Sequence, residues 1–114
     1  MHALIIEDDT LVALAIEEVL RDCGFKSFDV AASLDEAVTS ARKRCPELIT
    51  ADVELKPGSG IDAVQAICSG NPIPVVFITG RADAARARMP QHRVLSKPFR
   101  ISEVESAVRE ALGQ

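Results

Sequence analysis

Leu48-Ile49-Thr50-Ala51 is a largely apolar run that stops at Asp52, ahead of the polar, glycine-rich stretch Val53-Glu54-Leu55-Lys56-Pro57-Gly58-Ser59-Gly60. A second run, Ala3-Leu4-Ile5-Ile6, ends the same way on Glu7-Asp8-Asp9. Two further apolar segments end on Thr79 and on Lys97-Pro98. Four strand ends therefore carry acids, a hydroxyl and an amine. Side chains of these types suit a divalent cation and a phosphoryl group.

Working outward, strand-like and helix-like segments alternate along the chain. Residues 2–6 are a continuous apolar run of buried-strand type. Residues 10–22 carry Leu11, Val12, Ala15, Ile16, Val19 and Leu20 at helical spacing, with Gly24 as the stop. Residues 25–30 are part-polar, as an edge strand would be. Ser33 and Glu36 have capping-box spacing and open a second helix, which runs to Arg42-Lys43-Arg44 before Pro46. Strands are expected over 47–51 and 74–78, with a short fifth over 94–96. Ile61, Val64, Ile67 and Cys68 mark a third helix; Ile101, Val104, Val108, Ala111 and Leu112 mark the last.

This alternation predicts an α/β fold of (βα)5 type, a doubly wound parallel sheet with right-handed crossovers. A part-polar second strand favours the flavodoxin-like strand order 2-1-3-4-5. In that order ligands bind beyond the carboxyl ends of strands one and three. Those are the two strands that end in carboxylates.

The bulk properties narrow the function. At 114 residues the chain is expected to be one domain over 1–114. Its net charge of -4 argues against nonspecific nucleic-acid binding. No apolar run has the length of a membrane span and no basic leader precedes the first strand, so a cytoplasmic location is expected. Cys23, Cys45 and Cys68 are odd in number and lack C-x-x-C spacing, and are read as small apolar filler in a reducing compartment. The spacing supports neither a disulfide nor a metal site. His2 and His92 lack ligand-spaced partners and are read as structural or exposed.

Glu7, Asp8 and Asp52 cannot share one corner comfortably, because like charges about 4 Å apart repel by roughly 4 kcal/mol at an effective dielectric near 20. A hard divalent ion such as Mg2+ removes the conflict by taking carboxylate oxygens, water and substrate phosphate as ligands. A carboxylate so neutralised can attack a phosphoryl donor and become an acyl phosphate. Taken alone, the acids would more often be a helix N-terminus, Thr79 a strand-end hydroxyl, and Lys97 a surface amine.

Taken together, Ile6-Glu7-Asp8-Asp9, Asp52 with Pro57 and Gly60, Thr79-Gly80 and Lys97-Pro98-Phe99 stand in order at successive strand ends. Over essentially its whole length the chain resembles a receiver domain of two-component response regulators. The resemblance implies that Asp52 is the phosphoacceptor and Asp8 a direct Mg2+ ligand. It further implies that Glu7 acts mostly through water and that the Glu54 backbone carbonyl binds the ion. Thr79 would hydrogen-bond the phosphoryl group, Lys97 would pair with it, and the Lys97-Pro98 bond would be cis. Asp9 is expected to cap the first helix.

The implied donor is a histidine kinase or phosphotransfer protein, and the implied output is binding of a downstream protein partner by a stand-alone response regulator. Such a chain accepts and loses its own phosphoryl group but is not an enzyme with a separate substrate. Two other readings remain open. One is a phosphorylation-independent interaction module of receiver architecture; the other is a metal-dependent phosphohydrolase, for which Asp9 is the only spare carboxylate.

Three features depart from the family pattern. Residues 80–96, 17 in all, separate Thr79 from Lys97, and Pro90 interrupts them, so the fourth helix should be short or irregular. Val94 stands where receivers usually carry an aromatic ring. Glu54 and Arg81, each two residues past a site residue, are hypothesised to pair across the site and slow hydrolysis. Arg81, Arg86, Arg88 and Arg93 against the single acid Asp83 also make segment 81–93 locally basic, a candidate partner surface.

Overall fold

The computed structural model describes residues 1–55 and 58–114; Lys56 and Pro57, the latter part of the expected loop motif, lie outside the described residues. The elements follow in the order β1 (His2–Ile6), α1 (Thr10–Asp22), β2 (Ser27–Ala31), α2 (Leu34–Lys43), β3 (Leu48–Ala51), α3 (Gly60–Cys68), β4 (Val75–Thr79), α4 (Ala82–Arg88), β5 (Arg93–Ser96) and α5 (Ile101–Ala111). All strand pairings are parallel and the sheet order is β2-β1-β3-β4-β5, as expected.

Alternation along the strands divides the core into two layers. Leu4, Ile6, Ile49, Ala51, Val75 and Phe77 face α2, α3 and α4. Ala3, Ile5, Leu48, Val76 and Ile78 face α1 and α5. A strand whose successive side chains are buried on opposite faces must be apolar throughout, which is why β1, β3 and β4 lack a polar alternation.

Local signals set most helix ends. Asp9 caps α1, its Oδ1 accepting from the Leu11 and Val12 amides at 3.0 and 3.3 Å. Gly24, at φ +101°, turns the chain out of α1 in a conformation that disfavours a side chain. Ser33 Oγ accepts from Glu36 N at 3.2 Å, but Glu36 reaches back to Ala32 N at 3.0 Å, one residue before the cap that the capping-box pattern names. The fourth helix has seven residues and no side-chain cap, as its interrupted sequence predicts.

The second strand differs from its expected range. Phe25 lies before β2, buried at 2% exposure against the α1 layer, with its amide on the Leu20 carbonyl at 3.1 Å. Its ring closes the end of α1, so the strand begins two residues later than its apolar lead suggests. The cysteine expectation fails at one position: Cys45 is exposed, while Cys23 and Cys68 are partly buried. His2 is structural: its ring bonds to Ser27 Oγ at 2.8 Å and Asp29 Oδ2 at 2.9 Å, tying β1 to β2. Among the described residues no helix is long and apolar enough to cross a membrane.

Candidate functional site

The carboxyl ends of β1, β3, β4 and β5 meet at one corner of the sheet. Asp52 directly follows β3 and is buried; its amide donates to the Ile6 carbonyl at 3.0 Å, which locks it beside the end of β1. Glu7 directly follows β1 and is also buried, its amide bonded to Ala31 O at 2.9 Å on the other neighbour. Because β1 separates β2 from β3, its end is held from both sides.

Lys97 reaches both acids. Its Nζ lies 2.7 Å from Asp52 Oδ2 and 2.6 Å from Glu7 Oε1. The Asp52 contact is a hydrogen bond donated by the ammonium. Glu7 Oε1 is buried, and Lys97 is its ion-pair partner. The other carboxylate oxygens are engaged by main-chain amides, Glu7 Oε2 by Asp9 N at 3.1 Å and Asp52 Oδ1 by Glu54 N at 3.1 Å.

Burial pushes the Glu7 carboxyl above its ordinary range, against the opposing pull of Lys97 and the Asp9 amide. For Lys97, burial acts downward, but the bonds to Asp52 and Glu7 outweigh it and raise the ammonium.

Glu7, Asp8 and Asp52 each bring a carboxylate oxygen to within 4.8 Å of the others, a group that could hold a metal ion. Asp8 is exposed, so a cation could enter from its side. Three carboxylates converging in this way form an all-oxygen donor set that fits a hard divalent ion. The Glu54 side chain is exposed and stands outside this trio.

Thr79, the last residue of β4, is fully buried, and its Oγ1 accepts from Arg81 N at 3.0 Å. The Lys97 amide donates to Thr79 O at 3.0 Å, so β4 and β5 present the hydroxyl and the amine side by side. The Lys97-Pro98 bond is cis. No ion pair joins Glu54 to Arg81 among the described residues, contrary to the pairing hypothesised from sequence. The basic segment is also less free than its sequence indicates: Arg86 faces Asp83 at 3.7 Å, Arg88 faces Asp62 at 3.5 Å, and Arg93 faces Glu110 at 3.3 Å. Two of those acids come from α3 and α5, so no window along the chain reveals them.

A doubly wound sheet with an acid-rich corner, a buried strand-end threonine and a lysine before a cis proline is the architecture of a receiver domain. The chain belongs to the response regulator receiver domain family, whose model matches residues 3–109. It is 34% identical over 113 residues to the phyllosphere-induced regulator PhyR of Methylorubrum extorquens, covering 96% of this chain and 42% of PhyR. It is also 34% identical over 117 residues to the transcriptional regulatory protein PdtaR of Mycobacterium tuberculosis, covering 99% of this chain and 57% of PdtaR. The solution structure of the Erythrobacter litoralis PhyR receiver domain superposes with a TM-score of 0.85 at 34% identity, covering 98% of this chain and 89% of that one. The chain thus spans about half the length of the curated relatives it matches. It is a receiver domain of the response-regulator kind.

Proposed function

We propose that Asp52 accepts a phosphoryl group from the phosphohistidine of a histidine kinase or phosphotransfer protein, in a Mg2+-dependent reaction, and that the acyl phosphate switches binding of a downstream protein. The observation that carries this reading is the 2.7 Å bond from Lys97 to Asp52 beside a convergent Glu7–Asp8–Asp52 trio. Asp8 and Asp52 would hold the Mg2+, with Glu7 acting mostly through water and the Glu54 carbonyl completing the protein ligands. When bound, the ion supplies charge neutralisation for the acids and the incoming phosphoryl oxygens.

The chain's own groups then do the following. An Asp52 carboxylate oxygen attacks phosphorus; the bond from phosphorus to the imidazole nitrogen breaks, and its electron pair stays on the imidazole. Lys97 exchanges its bond to Asp52 for a phosphoryl oxygen. The Glu54 amide, on Asp52 Oδ1, holds the nucleophile's orientation. Thr79 turns its hydroxyl to the phosphoryl group. That turn takes the acceptor away from Arg81 N at the start of α4, a helix with no side-chain cap of its own. The switch therefore acts on the β4–α4 junction, which suits a chain with Val94 in place of an aromatic ring.

Partner docking has a surface to use. Leu11 and Leu14 on α1 and Ile101 at the start of α5 are exposed large apolar residues. Leu11 and Ile101 sit at helix N-termini, at the carboxyl-end rim of the sheet where Asp52 lies. Exposed large apolar residues of this kind are candidates for protein contact.

The test is intact mass after incubation with acetyl phosphate, with and without Mg2+, alongside Asp52→Ala. The expected result is one phosphoryl adduct that requires Mg2+ and is absent from the variant. No adduct with acetyl phosphate or with any cognate phosphodonor would overturn the proposal in favour of a phosphorylation-independent interaction module.

A further inference from the structure

At the amino end of the sheet, opposite Asp52, three polar side chains join β1 to β2. His2 Nδ1 lies 2.8 Å from Ser27 Oγ, and His2 Nε2 lies 2.9 Å from Asp29 Oδ2. Ser27 is the register partner of His2, and Asp29 follows it by two residues, so both side chains stand on one face of β2 and flank the ring. The ring is buried at 3% exposure, whereas Ser27 is half-buried and the Asp29 side chain is 40% exposed. β2 is an edge strand, with one flank open.

The polarity of these bonds follows from the groups that make them. A carboxylate only accepts hydrogen bonds, so Asp29 requires the proton of the neutral ring to sit on Nε2. Nδ1 then carries a lone pair, and the Ser27 hydroxyl must donate to it. The His2 main chain is fixed on its β3 side, its amide donating to Glu47 Oε1 at 2.9 Å and its carbonyl accepting from the Glu47 amide at 2.8 Å. A hydroxyl, an imidazole and a carboxylate bonded in this order are the nucleophile, base and orienting group that activate a serine. Sequence spacing conceals the set, because His2 and Ser27 meet only through the β1–β2 register.

We infer that Ser27 is a nucleophile that accepts an acyl group from activated esters, with His2 as its general base and Asp29 as the positioning residue. Ser27 Oγ attacks the carbonyl carbon, and the hydroxyl proton passes to His2 Nδ1. The tetrahedral adduct then collapses: the bond from carbon to the leaving oxygen breaks, and its electron pair departs on that oxygen. Ser27 is left as an ester. The imidazolium, its charge held against Asp29, gives its proton to water. The base assists attack on the carbonyl, not departure, so the donor class is esters whose leaving group is stable as an anion, such as a nitrophenolate.

The test treats the full chain with p-nitrophenyl acetate, following p-nitrophenolate release by absorbance and placing acetyl groups by peptide mapping. Acetyl is expected on Ser27, at a rate at least about 100-fold above that in His2→Gln, the low end of general-base assistance. Asp29→Asn should slow Ser27 to a similar extent, because an amide can donate to Nε2 and leave the proton on Nδ1, the wrong tautomer. Deuterium oxide should slow acetylation of Ser27 in the unaltered chain but not in His2→Gln, a difference that a purely structural histidine does not produce. Urea midpoints report whether each variant is folded; Asp29→Asn, altered at a partly exposed side chain, decides the matter if His2→Gln does not fold. Acetyl groups confined to lysines and the main-chain amine, or Ser27 labelled equally fast in Asp29→Asn, would overturn the proposal.

Discussion

Gly60 packs directly under the main chain of Asp52: a Cβ added at Gly60 would overlap the Asp52 carbonyl oxygen. The Gly60 amide also donates to Val53 O at 3.0 Å, so the first turn of α3 is fastened to the residue that follows Asp52. Backbone cannot retreat here without moving the carboxylate. Gly60→Ala is expected to cost about 1–3 kcal/mol, the range for forcing atoms into a packed site, and to slow acetyl phosphate labelling of Asp52. Gly70, with nothing within 4 Å of an added Cβ, is the control; Gly70→Ala should be neutral or slightly stabilising. Urea unfolding and labelling rates on the two variants check both statements.

Lys97 is the only side chain that pairs with both Glu7 and Asp52 among the described residues. Its raised value means that its contribution is fully present below its ordinary value of 10.5 and is lost as pH rises through the higher folded value. Glu7 is also raised, above 4.5, so its contribution is present below 4.5 and declines as pH rises through its folded value. At neutral pH an ionised Glu7 therefore depends on Lys97. Lys97→Met should destabilise by about 2 kcal/mol, less than the ~3–5 kcal/mol of a fully buried broken pair, because Lys97 is 24% exposed. Acidification toward pH 5 should recover part of the loss. Denaturant titrations at the two pH values measure it.

Thr50 on β3 carries a buried hydroxyl with no hydrogen-bond partner, between the sheet and the α1–α5 layer. Valine has nearly the same shape and no polar atom to desolvate. Thr50→Val is expected to stabilise the fold by about 1 kcal/mol, the lower end of the cost of an unsatisfied buried group. A shift of the urea midpoint to higher concentration at unchanged slope is the expected result.

Glu54 and Arg81 are both exposed and unpaired with each other. Their effects on the lifetime of a phosphoryl group at Asp52 should therefore be independent. In a double-mutant cycle of Glu54→Ala and Arg81→Ala, the coupling in the dephosphorylation rate is expected to stay below about 0.3 kcal/mol, in the range of pairs that contribute little.

Much of this protein follows from its linear sequence. The alternating apolar runs and helical stripes yielded all ten elements, the sheet order and the abbreviated fourth helix, because periodicity and capping are local properties of the chain. The convergence of Glu7, Asp8, Asp52, Thr79 and Lys97 was also readable, since in a parallel sheet every strand ends at the same edge. Partners across the fold were not readable. Phe25 looks like the start of a strand, yet it closes α1, because its environment is the α1 layer and not its neighbours in sequence. The arginines of 81–93 look like a free basic surface until α3 and α5 supply Asp62 and Glu110. Sequence pattern determines which face of an element is buried; only the register of the sheet and the packing of its helices decide which residue stands opposite.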